Sequence, residues 1–317
     1  NYDIILSVYK ELNAEIRKKR PVPPAAEWLL DNFYLIEEQV NGIRRDFDLR
    51  DYFKLPVLKS GFLKGYARVF AIAVEIILHT DGQVNEKVVS DYLEAYQSHN
   101  NLSEREIWNL PLVIRMALID DIKHQCVKIR NAMQQWRKAD DALNASLNNG
   151  MPDTERILKA YEDSMESGEK TNDAFLDHLL YRLRRSGQNH SGILIALDEF
   201  HARSGITTPQ IIQREHMARS VNTVSLGNCI TSLRLIATLD WGELLEKASR
   251  VNEILSRDPD GTYPKMDSAT RSMYRGKVEA LASFYGVSEI YLANELLALA
   301  SQAFSMHGQG TSNPEIL

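Results

Sequence analysis

Residues 103–147 read SEREIWNLPLVIRMALIDDIKHQCVKIRNAMQQWRKADDALNASL. Ser103-Glu104-Arg105-Glu106 has the form of a capping box. The serine oxygen can take the amide of Glu106, and the glutamate side chain can return to the serine amide. Behind the box, apolar residues keep helical spacing, which predicts one long helix over about 104–147. Pro111 falls early in it, where a kink is expected.

The chain on either side is read the same way. Toward the N-terminus a helix over 2–18 stops before Pro21-Val22-Pro23-Pro24. A second starts just after these prolines, which a first turn tolerates. Its apolar face is Trp28, Leu29, Phe33, Leu35, Ile36, Val40 and Ile43. A Pro/Gly-bearing loop fills 55–65. Residues 66–79 form the most apolar helix, expected to be central, and 84–97 a shorter one. Toward the C-terminus Gly150-Met151-Pro152 breaks the pattern. Residues 153–169 are polar and are expected to be the least ordered part and the boundary between halves. Further helices are predicted over 172–185, 191–204, 209–221 and 225–239, with Thr208 as cap and Pro209 as first helical residue. Asp240-Trp241-Gly242-Glu243 is a second capping-box candidate, opening a helix to about 257. Asp267 caps a helix that Gly286 closes in the left-handed conformation, and Ser288 caps the last one.

Asp81-Gly82 and Asp260-Gly261 are turn signals flanked by helical patterns, and no alternating run suits a hairpin. The expected fold class is all-α: a multi-helix bundle or solenoid-like array without significant sheet. No fixed period is present, which disfavours a true repeat protein. The expected division is an N-terminal helical subdomain over 1–150, variable polar connecting helices over 151–190, a C-terminal helical subdomain over 191–305, and a disordered tail over 306–317.

Apolar residues make up 44% and charged residues 25% of the 317, values of ordinary globular proteins. The net charge of −6 disfavours nucleic acid as a partner. The basic runs at 17–20 and 182–185 read as solvated helix ends. The longest apolar stretch, residues 69–78, holds Glu75 and is too short to span a bilayer. Cys126 and Cys229 lie in apolar helical patterns and are expected to be small buried residues in a reducing compartment; geometry must decide whether they pair. No targeting segment opens the chain. The absence of an initial Met and the polar end are expected to mark boundaries within a longer protein.

The residues offer little chemistry. No two of the eight histidines stand three or four apart and no Cys-x-x-Cys exists, so no metal site is expected. His201 with Asp198 and Glu199 is read as an exposed polar face in preference to a site. No Gly-rich phosphate loop and no Gly-x-Ser-x-Gly occurs. The carboxylate pairs at 120–121, 162–163 and 198–199 are adjacent, point about 100° apart on a helix and do not converge. Asp258-Pro259-Asp260 spells the Asp-x-Asp of metal-dependent glycosyltransferases, but between two helices and before Gly261 an interhelical turn is the better reading. No catalytic residue and no cofactor is expected.

Several stretches resemble the N-terminal region of the cyclic β-1,2-glucan synthases, a family of large membrane glycosyltransferases. They are Pro24-Ala25-Ala26-Glu27-Trp28-Leu29-Leu30-Asp31-Asn32, Leu55-Pro56 through Gly65-Tyr66-Ala67-Arg68-Val69, and Ile107-Trp108-Asn109-Leu110-Pro111. The strongest is Val224-Ser225-Leu226-Gly227-Asn228-Cys229-Ile230-Thr231-Ser232-Leu233-Arg234-Leu235, continuing through Leu239-Asp240-Trp241, Tyr263-Pro264-Lys265-Met266-Asp267-Ser268-Ala269-Thr270-Arg271 and Tyr274-Arg275. The blocks keep the family's order and cover most of the chain; residues 150–188 match nothing. The resemblance implies a parent enzyme of the inner membrane that polymerises glucose from UDP-glucose, uses the protein itself as primer and closes the product into a ring. The family's Asp-x-Asp and Gln-x-x-Arg-Trp signatures belong to a transferase domain that follows; Gln134-Gln135-Trp136-Arg137 is only a scrambled echo. This stretch is therefore expected to be a catalytically silent scaffold or regulatory region on the cytoplasmic side of the membrane, without a span of its own. Its expected partners are the transferase domain and other regions of the same parent chain, with β-glucan as a further candidate.

Two residue sets follow. Trp28, Trp241, Tyr263 and Arg271 are candidates for a glucan groove, with aromatic faces for glucose rings and charge for hydroxyls. Arg234, Asp240, Asp267 and Arg275 are candidates for a structural network of caps and ion pairs between helices, the favoured reading of this region. Tyr263 and Tyr274 are candidate primer acceptors. A scaffold predicts one exposed apolar patch; a glucan-binding module predicts a concave pocket with aromatic walls and convergent polar groups.

Overall fold

The computed structural model describes residues 1–148, 151–165, 170–185 and 191–310. Its helices are α1 (Tyr2–Arg17), α2 (Ala25–Asp46), the single turn α3 (Leu49–Tyr52), α4 (Arg68–His79), α5 (Glu86–Gln97), α6 (Glu104–Ser146), α7 (Thr154–Ser164), α8 (Asp173–Arg185), α9 (Ser191–Ser204), α10 (Thr208–Thr238), α11 (Trp241–Ala248), α12 (Arg250–Leu255), α13 (Ser268–Tyr285) and α14 (Glu289–Gly310). Leu147–Asn148 pairs with Met151–Pro152 in a two-residue antiparallel ladder, so the chain is all-α in class. Among the described residues no helix is long and apolar enough to cross a membrane. The expected tail is helical as far as Gly310; residues 311–317, like 149–150 and, within the expected connecting region, 166–169 and 186–190, lie outside the described residues.

The chain divides into two compact units, each built from two separated stretches. Unit one comprises Asn1–Val40 and Ile119–Thr231; unit two comprises Asn41–Leu118 and Ser232–Leu317. Both cores follow from helical amphipathicity. In unit one, Ile5, Val8 and Leu12 of α1 and Leu29 and Ile36 of α2 are fully buried, and Tyr9 stacks on Phe33 at 3.9 Å between ring centroids. A second cluster joins Leu143, Ile157, Tyr161, Phe175, Leu179, Leu197 and Ile211. In unit two, the apolar α4 buries Val69, Ala73, Ile76 and Ile77, and the first turns of α6 bury Ile107, Leu110, Val113 and Ile114. Val251, Ile254, Val278 and Ala293 form a further cluster on α12, α13 and α14.

Local caps set the helix ends. Ser103 and Glu106 make the reciprocal capping box, at 3.3 Å (Glu106 N to Ser103 Oγ) and 3.0 Å (Ser103 N to Glu106 Oε2). Asp240 caps α11 through Gly242 N at 3.0 Å, Asp267 caps α13 through Thr270 N at 2.9 Å, and Ser288 takes Tyr291 N at 3.1 Å. Gly286 ends α13 at φ +67°, a conformation that favours glycine.

Four expectations are corrected. The predicted helices 209–221 and 225–239 are one, α10. Asn222-Thr223-Val224 are weak helix formers but not breakers, and Thr223 Oγ1 bonds the Arg219 carbonyl at 2.9 Å within the helix. Its cap is Thr207, which exchanges bonds with Gln210 (2.9 and 3.4 Å), while the Thr208 hydroxyl bonds elsewhere. The helix predicted to run from Asp240 to about 257 is broken at Ser249, which caps α12 through Asn252 N at 2.9 Å. The stretch expected to be least ordered contains α7, capped by Asp153, with Ile157 and Tyr161 fully buried. Its polar residues are the outer face of an amphipathic helix.

Candidate functional site: an arginine node and a polar cleft

In unit two a polar node forms around Arg275, which α13 carries inward until it is 1% exposed. Its Nε lies 3.3 Å from Glu104 Oε2, an ion pair without hydrogen-bond alignment. Nη1 donates to Asn252 Oδ1 at 3.1 Å, and Nη2 reaches Glu246 Oε1 at 3.5 Å. The guanidinium lies over the Trp108 ring, 5.4 Å from its centroid, a cation–π contact. Glu104, 3% exposed, accepts from the Ser249 hydroxyl and from Trp108 Nε1 at 3.2 Å. Its backbone N–H donates to Glu289 Oε2 at 2.8 Å. Burial raises the Glu104 carboxyl against the pull of Ser249 and Arg275, and pushes Glu289 up to about 7, aided by the neighbouring Glu104, Glu279 and Glu106.

Tyr263 and Arg271 belong to this node. Tyr263 is 5% exposed, and its hydroxyl donates to Asn252 Oδ1 at 3.0 Å. Arg271 pairs with Glu246 Oε2 at 2.6 Å. Trp241 opens α11, the helix that carries Glu246, and donates through Nε1 to the Ile236 carbonyl at 3.0 Å. Trp28 belongs to unit one. A Cβ on Gly227 of α10 would stand 2.8 Å from Trp28 Cε2, so glycine is what lets the indole approach. Tyr274 is 45% exposed and meets Tyr263 edge-on. Within the expected polar network, Arg275 is the centre, Asp240 and Asp267 are caps, and Arg234 lies on α10. Sequence reasoning named Arg271 and Arg275 but not Glu246, Asn252 or Ser249, and read Glu104 only within a cap.

Asp258-Pro259-Asp260 forms the expected turn. Asp258 Oδ2 accepts from Thr262 N (2.9 Å) and Tyr263 N (3.0 Å), and Gly261 has φ +65°. These bonds, from the Tyr263 N–H first, hold the Asp258 carboxyl below its usual range. Among the described residues no three His, Cys, Asp or Glu side chains converge as metal ligands.

Unit one shows two polar features. His201, expected on an exposed face, is fully buried. Thr208 donates to Asp198 Oδ1 at 2.6 Å, which leaves its oxygen to accept from His201 Nδ1 at 2.9 Å. His201 Nε2 then accepts from the Tyr161 hydroxyl at 3.1 Å, which itself accepts the Asn172 N–H at 3.4 Å. This directionality fixes a neutral imidazole protonated at Nδ1, and burial lowers its pKa accordingly. The sequence showed Asp198 and His201 as helix neighbours but gave no sign of Tyr161. Beside this chain, residues of α6, α8, α10 and the segment before α8 line a cleft of about 700 Å³. Cys126 and Cys229 are buried and unpaired with each other; burial pushes the Cys126 thiol up to about 12, and Cys229 donates to Asp121 Oδ2 at 3.1 Å.

No family model matches the chain. The cyclic beta-(1,2)-glucan synthase NdvB of Rhizobium meliloti (strain 1021) is 29% identical to it over 300 residues, which are 94% of this chain and 10% of that protein. The chain thus spans about a tenth of the length of this curated relative. The strongest resembling block, on α10, buries Leu226, Cys229, Ile230 and Leu233 and seats Trp28 against Gly227, so it carries packing. The likeness runs along nearly the whole chain, as the resembling blocks do: the chain is similar to a part of a cyclic β-1,2-glucan synthase.

Proposed function

We propose that this chain is a non-catalytic helical scaffold or regulatory region of a cyclic β-1,2-glucan synthase. It supports UDP-glucose-dependent polymerisation or cyclisation carried out by other parts of a longer protein, on the cytoplasmic side of the inner membrane. The apolar surface of α13 and α14 carries this reading. Leu281, Phe284, Tyr285, Val287 and Tyr291 stand exposed around the turn between these helices, with Phe284 at 81% and Tyr285 at 66%. Apolar surface of this kind suits a partner face. The matched relative has nine-tenths of its length beyond this stretch, which offers the partner. The node around Arg275 supports the same role, since its charges are spent on one another.

The test is association in trans. This chain is expected to co-purify with the separately expressed remainder of NdvB. The doubly charged variant Phe284→Asp/Tyr291→Asp is expected to lose that association with its circular dichroism unchanged. Undiminished association of the variant sinks the reading. A second reading, a module that handles growing β-1,2-glucan, draws on a different feature, the polar cleft of unit one.

A further inference from the structure

The cleft of unit one has a volume of about 700 Å³, within the ~300–1,000 Å³ of small-molecule sites. Gln135 of α6 and Asn222 of α10 both line it. The amide oxygens of both, Gln135 Oε1 and Asn222 Oδ1, are buried without a hydrogen-bond partner, and Asn222 as a residue is only 7% exposed. Buried carbonyl oxygens without a donor are uncommon and call for an explanation. The terminal torsions of Asn and Gln are soft, so both oxygens can turn to a donor placed in the cleft.

The charges around them select the donor. Arg214 is held by Asp173, with Nη2 at 2.6 Å from Oδ1, and also bonds Thr171. Arg219 is held by Asp177 and by Glu215 at 3.3 Å. Lys128 bonds the Gln125 amide oxygen at 3.1 Å. The guanidiniums are thus already matched by carboxylates, which leaves little pull on a phosphate. A phosphate dianion also has no proton to give two acceptors. An ammonium group has protons to give but, with Arg214 and Arg219 matched by carboxylates, still has to enter beside the ammonium groups of Lys128 and Lys170. A neutral ligand bearing several hydroxyls meets both conditions, because each hydroxyl donates once and accepts twice.

We propose that this cleft binds a neutral saccharide, through hydroxyl groups donated to Asn222 Oδ1 and Gln135 Oε1. The inference deepens the second, glucan-handling reading. It is independent of the docking test on α13 and α14, so failure of one leaves the other standing.

The experiment is calorimetric titration of the whole chain with glucose, with linear β-1,2-linked gluco-oligosaccharides and with UDP. The variants are Asn222→Leu and Gln135→Met, which keep shape and remove the acceptor. Saturable binding of a sugar is expected, weakened about tenfold or more by either variant. Binding of glucose alone identifies a free hexose as the ligand; binding of the oligosaccharides only identifies a chain segment. Because each variant removes a buried oxygen that has no partner, the melting temperature without ligand is expected to hold or rise. That outcome separates lost recognition from lost fold. The absence of saturable sugar binding, binding that both variants leave unchanged, or a preference for UDP over every sugar overturns the proposal.

Discussion

Both units bury polar groups, but they treat them differently. In unit two, Arg275 is surrounded by Glu104, Glu246, Asn252 and Trp108, and Tyr263 and Arg271 complete the set. In unit one, the cleft keeps two amide oxygens without partners beside guanidiniums that are already paired. A satisfied buried network fixes helices in place, whereas an unsatisfied one is poised for something that arrives later. The contrast teaches that charge is a poor guide to a binding site here: the most charged cluster is closed, and the amides are open.

The largest expected effect breaks the closed side. Arg275→Met strips Glu104 of its buried counter-charge, leaves Glu246 only Arg271, and is expected to cost about 3–5 kcal/mol in urea unfolding. Adding Glu104→Gln should recover part of that loss, because fewer buried charges are then left unpaired. Equal stability of Arg275→Met and the parent would show that the node contributes no net stability.

The pH dependence sharpens the same side. Folding raises Glu289 from the ordinary 4.5 to about 7, chiefly by burial. The folded state therefore favours the protonated acid. This contribution is complete below about pH 4.5 and is lost as pH rises through about 7. Glu289 is only part-buried, so solvent screening reduces the effect to on the order of 2 kcal/mol. Glu289→Gln keeps an oxygen for the Glu104 N–H and should lose this part of the pH dependence, becoming more stable than the parent at pH 8. Parallel melting curves for the two proteins from pH 4 to 8 would refute the assignment.

In unit one, Gly227→Ala drives a methyl against the Trp28 indole and should cost about 1–3 kcal/mol. Trp28→Leu in the same chain should relieve much of it, readable as a coupling in a double-mutant cycle. Additive losses would mean that the indole simply swings aside.

The parts of this fold legible in the sequence were those decided within a few residues. The capping box at Ser103, the caps Asp267 and Ser288 and the left-handed Gly286 all depend on neighbours in the chain, and the structure has each in place. The break at Ser249 was not legible. Helix formers flank it, and the partner of its hydroxyl, Glu104, stands 145 residues away. The continuity of α10 was hidden for the opposite reason: Asn222-Thr223-Val224 reads as a weak spot, yet Asn222 is buried there. The site divides along the same line. Arg271 and Arg275 could be named from one helix. Gln135 and Asn222 come from different helices with no spacing between them to recognise, and an amide that lacks a partner has no sequence signature.

Glu104 has a consequence of another kind. One side chain accepts from Ser249, faces Arg275 and takes the Trp108 indole N–H, while its backbone N–H holds Glu289. Loss of Ser249 or Arg275 leaves the buried Glu104 carboxyl short of a partner, and loss of Glu289 leaves the Glu104 N–H short of one. Ancestry can therefore rewrite this cluster only in compensated steps, and its members are expected to travel through descent as a linked set, one changing in the company of another.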